Sequence, residues 1–149
     1  MTEANTINEE QPGDLKNGPE GDSQPHGTIL LVDDNAATRE AMCDMLEMLG
    51  HNVLPAIDGP EALEIFRRER VDLVLSDMIM PKMDGEVLYQ ALREVEPQVK
   101  MIILTGLPLG DRGERLAQAG IFALLKKPPD IDKVTKTVQQ ALQQSDSDD

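Results

Sequence analysis

Short polar segments follow four apolar runs in this sequence, and their side chains have the types needed for metal binding and phosphoryl chemistry. Asp33 and Asp34 follow one run, Asp77 follows another, and Thr105 and Lys127 follow two more. Carboxylates brought together raise each other's pKa values unless a cation or a lysine lies close. Hard oxygen ligands without His or Cys favour Mg²⁺, with Mn²⁺ as an alternative. A carboxylate beside such an ion can act as a nucleophile toward a phosphoryl group.

The apolar runs themselves have the composition of buried strands. Run 28–32 is aliphatic without alternation, which is typical of a strand covered on both faces. Similar runs at 51–57, 71–76, 99–104 and 122–125 predict four more strands, and we expect the most apolar, 99–104, to lie centrally. Helical spacing predicts a helix after each strand. The first of these helices, from about Thr38 to a stop at Gly50, is predicted to turn one apolar stripe inward: Ala37, Ala41, Met45 and Met48 or Leu49.

Five strand–helix pairs with short connections predict an α/β fold. Parallel neighbours need right-handed crossovers, which place helices on both faces of the sheet. We therefore predict a flavodoxin-like, doubly wound (βα)5 domain with a five-stranded parallel sheet in the order 2-1-3-4-5. Ligands of such sheets bind outside the carboxyl ends of the strands, where the polar segments described above should meet.

Composition limits the classes of function. The 149 residues have room for one ordinary domain, and 28 Asp and Glu against 14 Lys and Arg give a net charge of -14. This charge repels phosphate backbones and anionic lipids, so we expect neither direct nucleic-acid binding nor membrane binding. Segments 1–26 and 145–149 read as disordered acidic tails around a domain at 27–144. The start does not resemble a secretory signal, and the single Cys43 cannot form an internal disulfide, so a cytoplasmic location is expected.

The polar segments resemble those of one known family. Their order resembles that found in receiver domains of bacterial two-component response regulators. The segments that carry the resemblance are Asp33 and Asp34, residues 77–85 (DMIMPKMDG), Thr105 with Gly106, and Lys127 with Pro128. The resemblance covers about residues 27–144. A DxxMPxMDG pattern directly after an apolar strand is specific, whereas each of the other segments alone is common.

The resemblance implies a role for each acidic residue. Asp77 would be the phosphoacceptor. Asp34 and Asp77 would hold Mg²⁺ together with the backbone carbonyl of Ile79, and Asp33 would assist through water. The alternative role for Asp33 and Asp34 is helix capping, since acidic residues favour helix N-termini.

The resemblance also implies roles for the last two strand ends. Lys127 would pair with the phosphoryl group, and Thr105 would move inward to hydrogen-bond one of its oxygens. Gly106 would leave room for that movement. The peptide between Lys127 and Pro128 is expected in the cis form, which this family tends to use there.

Three positions bear on signal output and on phosphate lifetime. Leu124 stands where the family usually carries Tyr or Phe, three residues before the site lysine. We expect either Phe122, predicted to share its strand face, or an aliphatic lever at Leu124 to serve in the switch. Ile79 and Leu107 occupy positions that tune dephosphorylation, and their apolar side chains predict slow loss of phosphate.

The function implied is that of a single-domain response regulator receiver. It would be a regulatory phosphoacceptor that catalyses its own phosphorylation and dephosphorylation, and not an enzyme with a separate substrate. A histidine kinase or phosphotransfer protein would be the donor, and the output would be contact with an unidentified downstream protein or a phosphorylation-dependent homodimer.

Two alternatives remain open from the sequence. One is a receiver-like scaffold that signals without phosphate. The other is a phosphatase with an aspartate nucleophile, which would want a second acid two residues after the nucleophile, where Ile79 stands instead.

Overall fold

Strands and helices alternate along the part of the chain that the computed structural model describes, residues 26–147. The strands are β1 (Thr28–Val32), β2 (Asn52–Ala56), β3 (Leu73–Asp77), β4 (Met101–Thr105) and β5 (Ala123–Lys126). The helices are α1 (Ala36–Met48), α2 (Gly59–Arg68), α3 (Gly85–Val95), α4 (Asp111–Ala119) and α5 (Ile131–Ser147). Of the predicted tails at 1–26 and 145–149, residues 1–25 and 148–149 lie outside the described residues.

The strands form one parallel sheet in the order β2-β1-β3-β4-β5, which confirms the predicted fold and strand order. In the register of the sheet, Val32 of β1 lies opposite Ser76 of β3. Asp77 of β3 lies opposite Leu104 of β4, and Thr105 of β4 lies opposite Lys126 of β5. The register therefore brings the carboxyl ends of these four strands to one edge of the sheet.

Two apolar clusters cover the two faces of the sheet. Leu30 and Val32 point into the cluster beneath α2, α3 and α4, whereas Ile29 and Leu31 point into the cluster beneath α1 and α5. Burial on both faces explains why the strand sequences do not alternate. Each fully buried Leu or Ile side chain stabilises the fold by roughly 1.5–3 kcal/mol, so the interior strands hold their polar ends in fixed positions.

The first helix buries a different stripe from the predicted one. Met42 and Leu46 are buried, whereas Ala37 and Ala41 are exposed and Met48 is 87% exposed. The prediction was wrong because Ala and Met give a weak apolar signal, and Met42 with Leu46 forms an equally spaced stripe one residue further along.

The last helix also differs at its end. It continues to Ser147, into the segment 145–149 that was predicted as a tail. Val134, Val138 and Leu142 are buried on one face of this helix, while Ile131 at its start is 61% exposed. No helix within residues 26–147 is long and apolar enough to cross a bilayer.

Candidate functional site

Three carboxylates meet at the edge of the sheet. Asp33 and Asp34 follow β1, and Asp77 is the last residue of β3. One carboxylate oxygen from each residue lies within 4.8 Å of the other two. Asp33 and Asp77 are buried and Asp34 is exposed, so the cluster is open to solvent on one side only.

The turn from β1 into α1 fixes Asp33. Its Oδ1 accepts a hydrogen bond from the Asn35 amide at 2.9 Å, and its carbonyl accepts one from Arg39 Nη1 at 2.8 Å. The cap of α1 is Asn35, whose side chain accepts from the Thr38 amide at 2.9 Å. Helix capping is therefore supplied by Asn35, which leaves the carboxylates of Asp33 and Asp34 facing the cluster.

Lys127 is the basic residue of the cluster. Its Nζ forms an ion pair with Asp77 Oδ1. The Lys127 amide donates to the Thr105 carbonyl at 2.9 Å, and the predicted cis peptide between Lys127 and Pro128 is present. Lys126 is exposed, so Lys127 is the lysine that the strand end directs to Asp77.

Burial makes the charged form of the Asp77 carboxylate unfavourable, which strains this residue electrostatically. Burial raises the pKa of Asp77 from 3.8 to about 7; Lys127 lowers this pKa and Asp33 raises it. Apart from the Lys127 ammonium, no described residue donates a hydrogen bond to Asp77 Oδ1. A buried, under-coordinated carboxylate oxygen among hard oxygen donors fits a divalent cation such as Mg²⁺.

We expect this strain to appear as a pH-dependent loss of stability. Because the pKa of folded Asp77 lies above 3.8, the folded state binds more protons than the unfolded state in this range, so its stability falls as pH rises between about pH 4 and about pH 7. Without Mg²⁺, Asp77→Asn should raise the melting temperature near neutral pH by on the order of 5 °C. Its advantage over the native chain should vanish at about pH 4.

The control for this comparison is Asp44→Asn, which removes an exposed acid of α1. Melting curves of both variants and the native chain, recorded across that pH range, check the prediction. An Asp77→Asn advantage that is absent, or equal to that of Asp44→Asn, would show that Asp77 is not strained.

Thr105 lies beside an apolar cavity. Its Oγ1 donates to the Leu107 carbonyl at 2.9 Å and accepts from the Leu107 amide at 3.3 Å, so the hydroxyl is held by its own loop. The cavity of about 410 Å³ is lined by Thr105, Gly106, Leu124 and Lys127 among others. A Cβ on Gly106 would meet only Lys127 Cβ, at 3.9 Å, so there is open space beside the hydroxyl.

Phe122 and Leu124 do not share a face of the sheet. Leu124 packs against the cluster beneath α2, α3 and α4, whereas Phe122 packs against the opposite cluster beneath α1 and α5. The prediction was wrong because β5 begins at Ala123 and Phe122 lies in the bend before it, where strand alternation does not hold. Phe122 is thus separated from the cavity, and Leu124 remains as the apolar residue beside it.

Ile79 and Leu107 flank the site from two loops. Ile79 is 65% exposed and Leu107 is 70% exposed. Met78 and Met80 on either side of Ile79 are buried, which fixes the loop after Asp77 by packing. None of the residues 78–83 in this loop is acidic. The loop therefore lacks the second acid that a phosphatase with an aspartate nucleophile would carry two residues after that aspartate.

Sequence reasoning missed an ion-pair network beside the site. Asp84 caps α3 by accepting a hydrogen bond from the Val87 amide at 2.9 Å. It also lies 2.6 Å from Arg112 Nη2, and Arg112 Nε lies 3.1 Å from Glu86 Oε1. Arg115 and then Arg112 hold the pKa of Glu86 below its usual range. These charges lie 26 to 29 residues apart in the chain, so only the fold reveals the pairing.

The comparisons with known proteins agree with this geometry. The family model described as "Response regulator receiver domain" matches residues 29–139. The chain belongs to the response regulator receiver domains. Receiver domains of this family act in two-component signalling, and the sheet order described above is the one that the family resemblance implied.

Individual relatives have longer chains. This receiver domain is 37% identical over 117 residues to the transcriptional regulatory protein GlrR of Escherichia coli K12, covering 78% of this chain and 26% of GlrR. It is 34% identical over 110 residues to the sensor histidine kinase RcsC of the same organism, covering 74% of this chain and 12% of RcsC. The chain thus spans about a quarter or less of the length of these relatives.

A solved receiver domain matches over nearly its whole length. The crystal structure of a response regulator receiver domain protein from Clostridium thermocellum superimposes with a TM-score of 0.76 at 29% identity, covering 80% of this chain and 97% of that one.

Proposed function

We propose that this receiver domain accepts a phosphoryl group on Asp77 from the phosphohistidine of a histidine kinase or phosphotransfer protein, in a reaction that requires Mg²⁺. The observation that carries the proposal is the contact between buried Asp77 and Lys127 inside a cluster of three carboxylates. A carboxylate in this setting is available as a nucleophile, and the charges around it are those that phosphoryl transfer needs.

The proposed transfer exchanges one bond to phosphorus for another. An Asp77 carboxylate oxygen forms a bond to phosphorus as the bond from phosphorus to the donor histidine nitrogen breaks. The electron pair leaves with the imidazole, which takes up a proton. Asp77 reacts as the carboxylate, and the Lys127 ammonium beside its Oδ1 neutralises charge on the transferred group.

The acidic residues fit a bound Mg²⁺ or Mn²⁺. Asp34 and Asp77 would hold the ion with the carbonyl of Ile79, and Asp33 would contact it through water. The ion supplies Lewis-acid stabilisation of the negative charge on the phosphoryl oxygens.

Signal output would begin at Thr105. Its hydroxyl is bonded to its own loop at Leu107, and a phosphoryl group on Asp77 offers a more strongly charged acceptor. If the Thr105 hydroxyl exchanged its bond to Leu107 for a bond to the phosphoryl group, Thr105 would move and the neighbouring cavity would change shape. Leu124, the apolar residue beside the cavity, would then shift with it. Such a switch shifts the equilibrium between two conformations of one surface.

The partners that we propose follow from this chemistry and from the relatives. A histidine kinase or phosphotransfer protein would be the donor, in the cytoplasm. A downstream protein, or a second phosphorylated copy of the chain, would read the altered surface. The net charge of -14 disfavours direct contact with nucleic acid.

The test of the proposal is the intact mass of the protein after incubation with acetyl phosphate and Mg²⁺. We expect one phosphoryl adduct on the native chain, and none on Asp77→Asn or in the presence of a chelator. A native chain that binds Mg²⁺ and still gains no adduct would contradict the proposal and favour the phosphate-independent scaffold.

Polar replacements at Ile79 and Leu107 should shorten the lifetime of the phosphorylated form. Two exposed aliphatic side chains at the rim of the site hinder water from lining up with the acyl phosphate. We expect the double variant Ile79→Asn, Leu107→Gln to lose phosphate about tenfold faster, since polar side chains can orient that water. The decay of the phosphorylated mass with time measures this rate.

Val95→Asn is the matched control for these replacements, because Val95 is an exposed apolar residue at the far end of α3. It should leave the lifetime unchanged. Equal lifetimes for the native chain and the double variant would show that these positions do not tune the reaction.

A further inference from the structure

The loop between Asp77 and α3 is fixed at both of its ends. The Gly85 amide donates to the Met78 carbonyl at 2.7 Å, which closes the loop on itself. A Cβ on Gly85 would lie 2.9 Å from the Asp77 carbonyl oxygen, so the helix begins directly against the phosphoacceptor strand. Ile79, whose carbonyl is the proposed third metal ligand, lies within this closed loop.

The middle of the loop has an unusual backbone at Lys82. Its φ of 70° is the one positive value at a non-glycine residue in the described part of the chain. A left-handed conformation is unfavourable for a residue with a Cβ, so it persists only where surrounding contacts hold it. The unfavourable backbone conformation of Lys82 therefore indicates that a contact from outside the loop stabilises it.

That contact comes from the turn between β2 and α2. Lys82 Nζ lies 3.3 Å from Asp58 Oδ2. The other oxygen of Asp58 caps α2 by accepting from the Glu61 amide at 2.9 Å, and Glu61 Oε1 accepts in turn from the Ile57 amide at 2.7 Å. Asp58 is 7% exposed, so its carboxylate is held in one orientation by a rigid helix start.

A second contact joins the same two segments. A Cβ on Gly59 would lie 2.8 Å from Met83 Cβ, so only glycine lets the start of α2 approach the loop this closely. The Asp58–Lys82 ion pair therefore lies beside a packed junction, and together they connect α2 to the loop that carries Ile79.

We propose that Asp58 and Lys82 are positioning residues of the phosphorylation site, and that their ion pair holds the loop after Asp77 so that the Ile79 carbonyl faces the carboxylates. The inference rests on the proposed function, because it assigns the pair an effect on metal binding. Neither residue touches the reacting atoms.

The experiment measures Mg²⁺ affinity of the unphosphorylated full chain by calorimetry in Asp58→Asn, Lys82→Gln and the double variant. Asn keeps the helix cap and loses the charge. We expect each single variant to bind Mg²⁺ about threefold more weakly, because an ion pair with an exposed lysine contributes modestly. The double variant should be no weaker than either single variant, because both substitutions remove the same interaction. Lys82→Arg keeps the cation and should keep the native affinity.

The direction in which Lys82→Gln changes the Mg²⁺ affinity distinguishes a positioning role from a simple effect of charge. Removing a distant cation would strengthen Mg²⁺ binding, whereas loss of positioning weakens it. Arg68→Gln breaks an exposed pair with Glu69 at 3.8 Å at the other end of α2. Because solvent screens this charge, the affinity should stay within about twofold of native.

Three results would overturn the inference: stronger binding in Lys82→Gln, additive losses in the double variant, or native affinity in all variants. Absence of Mg²⁺ binding in the native chain would instead contradict the proposed function itself. Melting temperatures of each variant, measured without Mg²⁺, show whether a weaker affinity accompanies partial unfolding.

Discussion

Lys127→Met should slow phosphorylation of the chain by acetyl phosphate by about a hundredfold or more. The Lys127 ammonium is the one basic group in contact with Asp77 among the described residues. Met has a similar length and no charge, so the substitution removes electrostatic stabilisation of the transferred group while preserving the volume of the side chain. The rate of appearance of the phosphorylated mass, at saturating Mg²⁺, measures the effect.

The neighbouring lysine provides a matched control. Lys126 is exposed, and Lys126→Met should leave the rate close to native. Lys127→Met should also bind Mg²⁺ more tightly than the native chain, because the cluster of carboxylates loses a competing cation. A slow variant that has also lost Mg²⁺ binding would indicate misfolding. Unchanged phosphorylation in a variant that still binds Mg²⁺ would contradict the role of Lys127.

Asp34→Asn should weaken Mg²⁺ binding by at least about tenfold, because it replaces a charged ligand by a neutral one in a site of few protein ligands. Asp34 is the exposed member of the three-carboxylate cluster, so its removal disturbs packing little. Phosphorylation at limiting Mg²⁺ should slow in proportion, and recover in part when the ion is in excess. The chain has no Trp, so calorimetry is the suitable measurement.

Asp44→Asn is again the control, since it removes one exposed acid of α1 outside the cluster. Its Mg²⁺ affinity should stay within about twofold of native, the size of a screened surface charge effect. Equal losses in Asp34→Asn and Asp44→Asn would show that total charge, and not ligation, governs binding.

The fold and the acidic cluster were predictable because strong local signals and general rules agree. Unalternating apolar runs such as Leu30 to Val32 require cover on both faces, and that cover comes from right-handed crossover helices. The carboxyl ends of parallel strands meet at one edge of a sheet, and this rule predicts that Asp33, Asp77 and Lys127 lie together.

The features that escaped prediction depend on contacts between distant segments or on weak local signals. The pairs Asp58 with Lys82 and Asp84 with Arg112 join loops and helices far apart in the chain, and no spacing rule connects them. The stripe of α1 was misjudged because Ala and Met give a weak apolar signal that fits more than one orientation of the helix. Phe122 was misplaced because it lies in the bend before β5, and the strand alternation begins one residue later than assumed.

The central claim is that Asp77 itself carries the phosphoryl group, and borohydride reduction after treatment with acetyl phosphate and Mg²⁺ tests it most directly. Borohydride converts an aspartyl phosphate to homoserine, and the tryptic peptide 71–82 contains both Asp72 and Asp77. The account predicts homoserine at position 77, with Asp72 unchanged in the fragment spectrum. Homoserine at position 33, 34 or 72, or none anywhere in a chain that binds Mg²⁺, would contradict it.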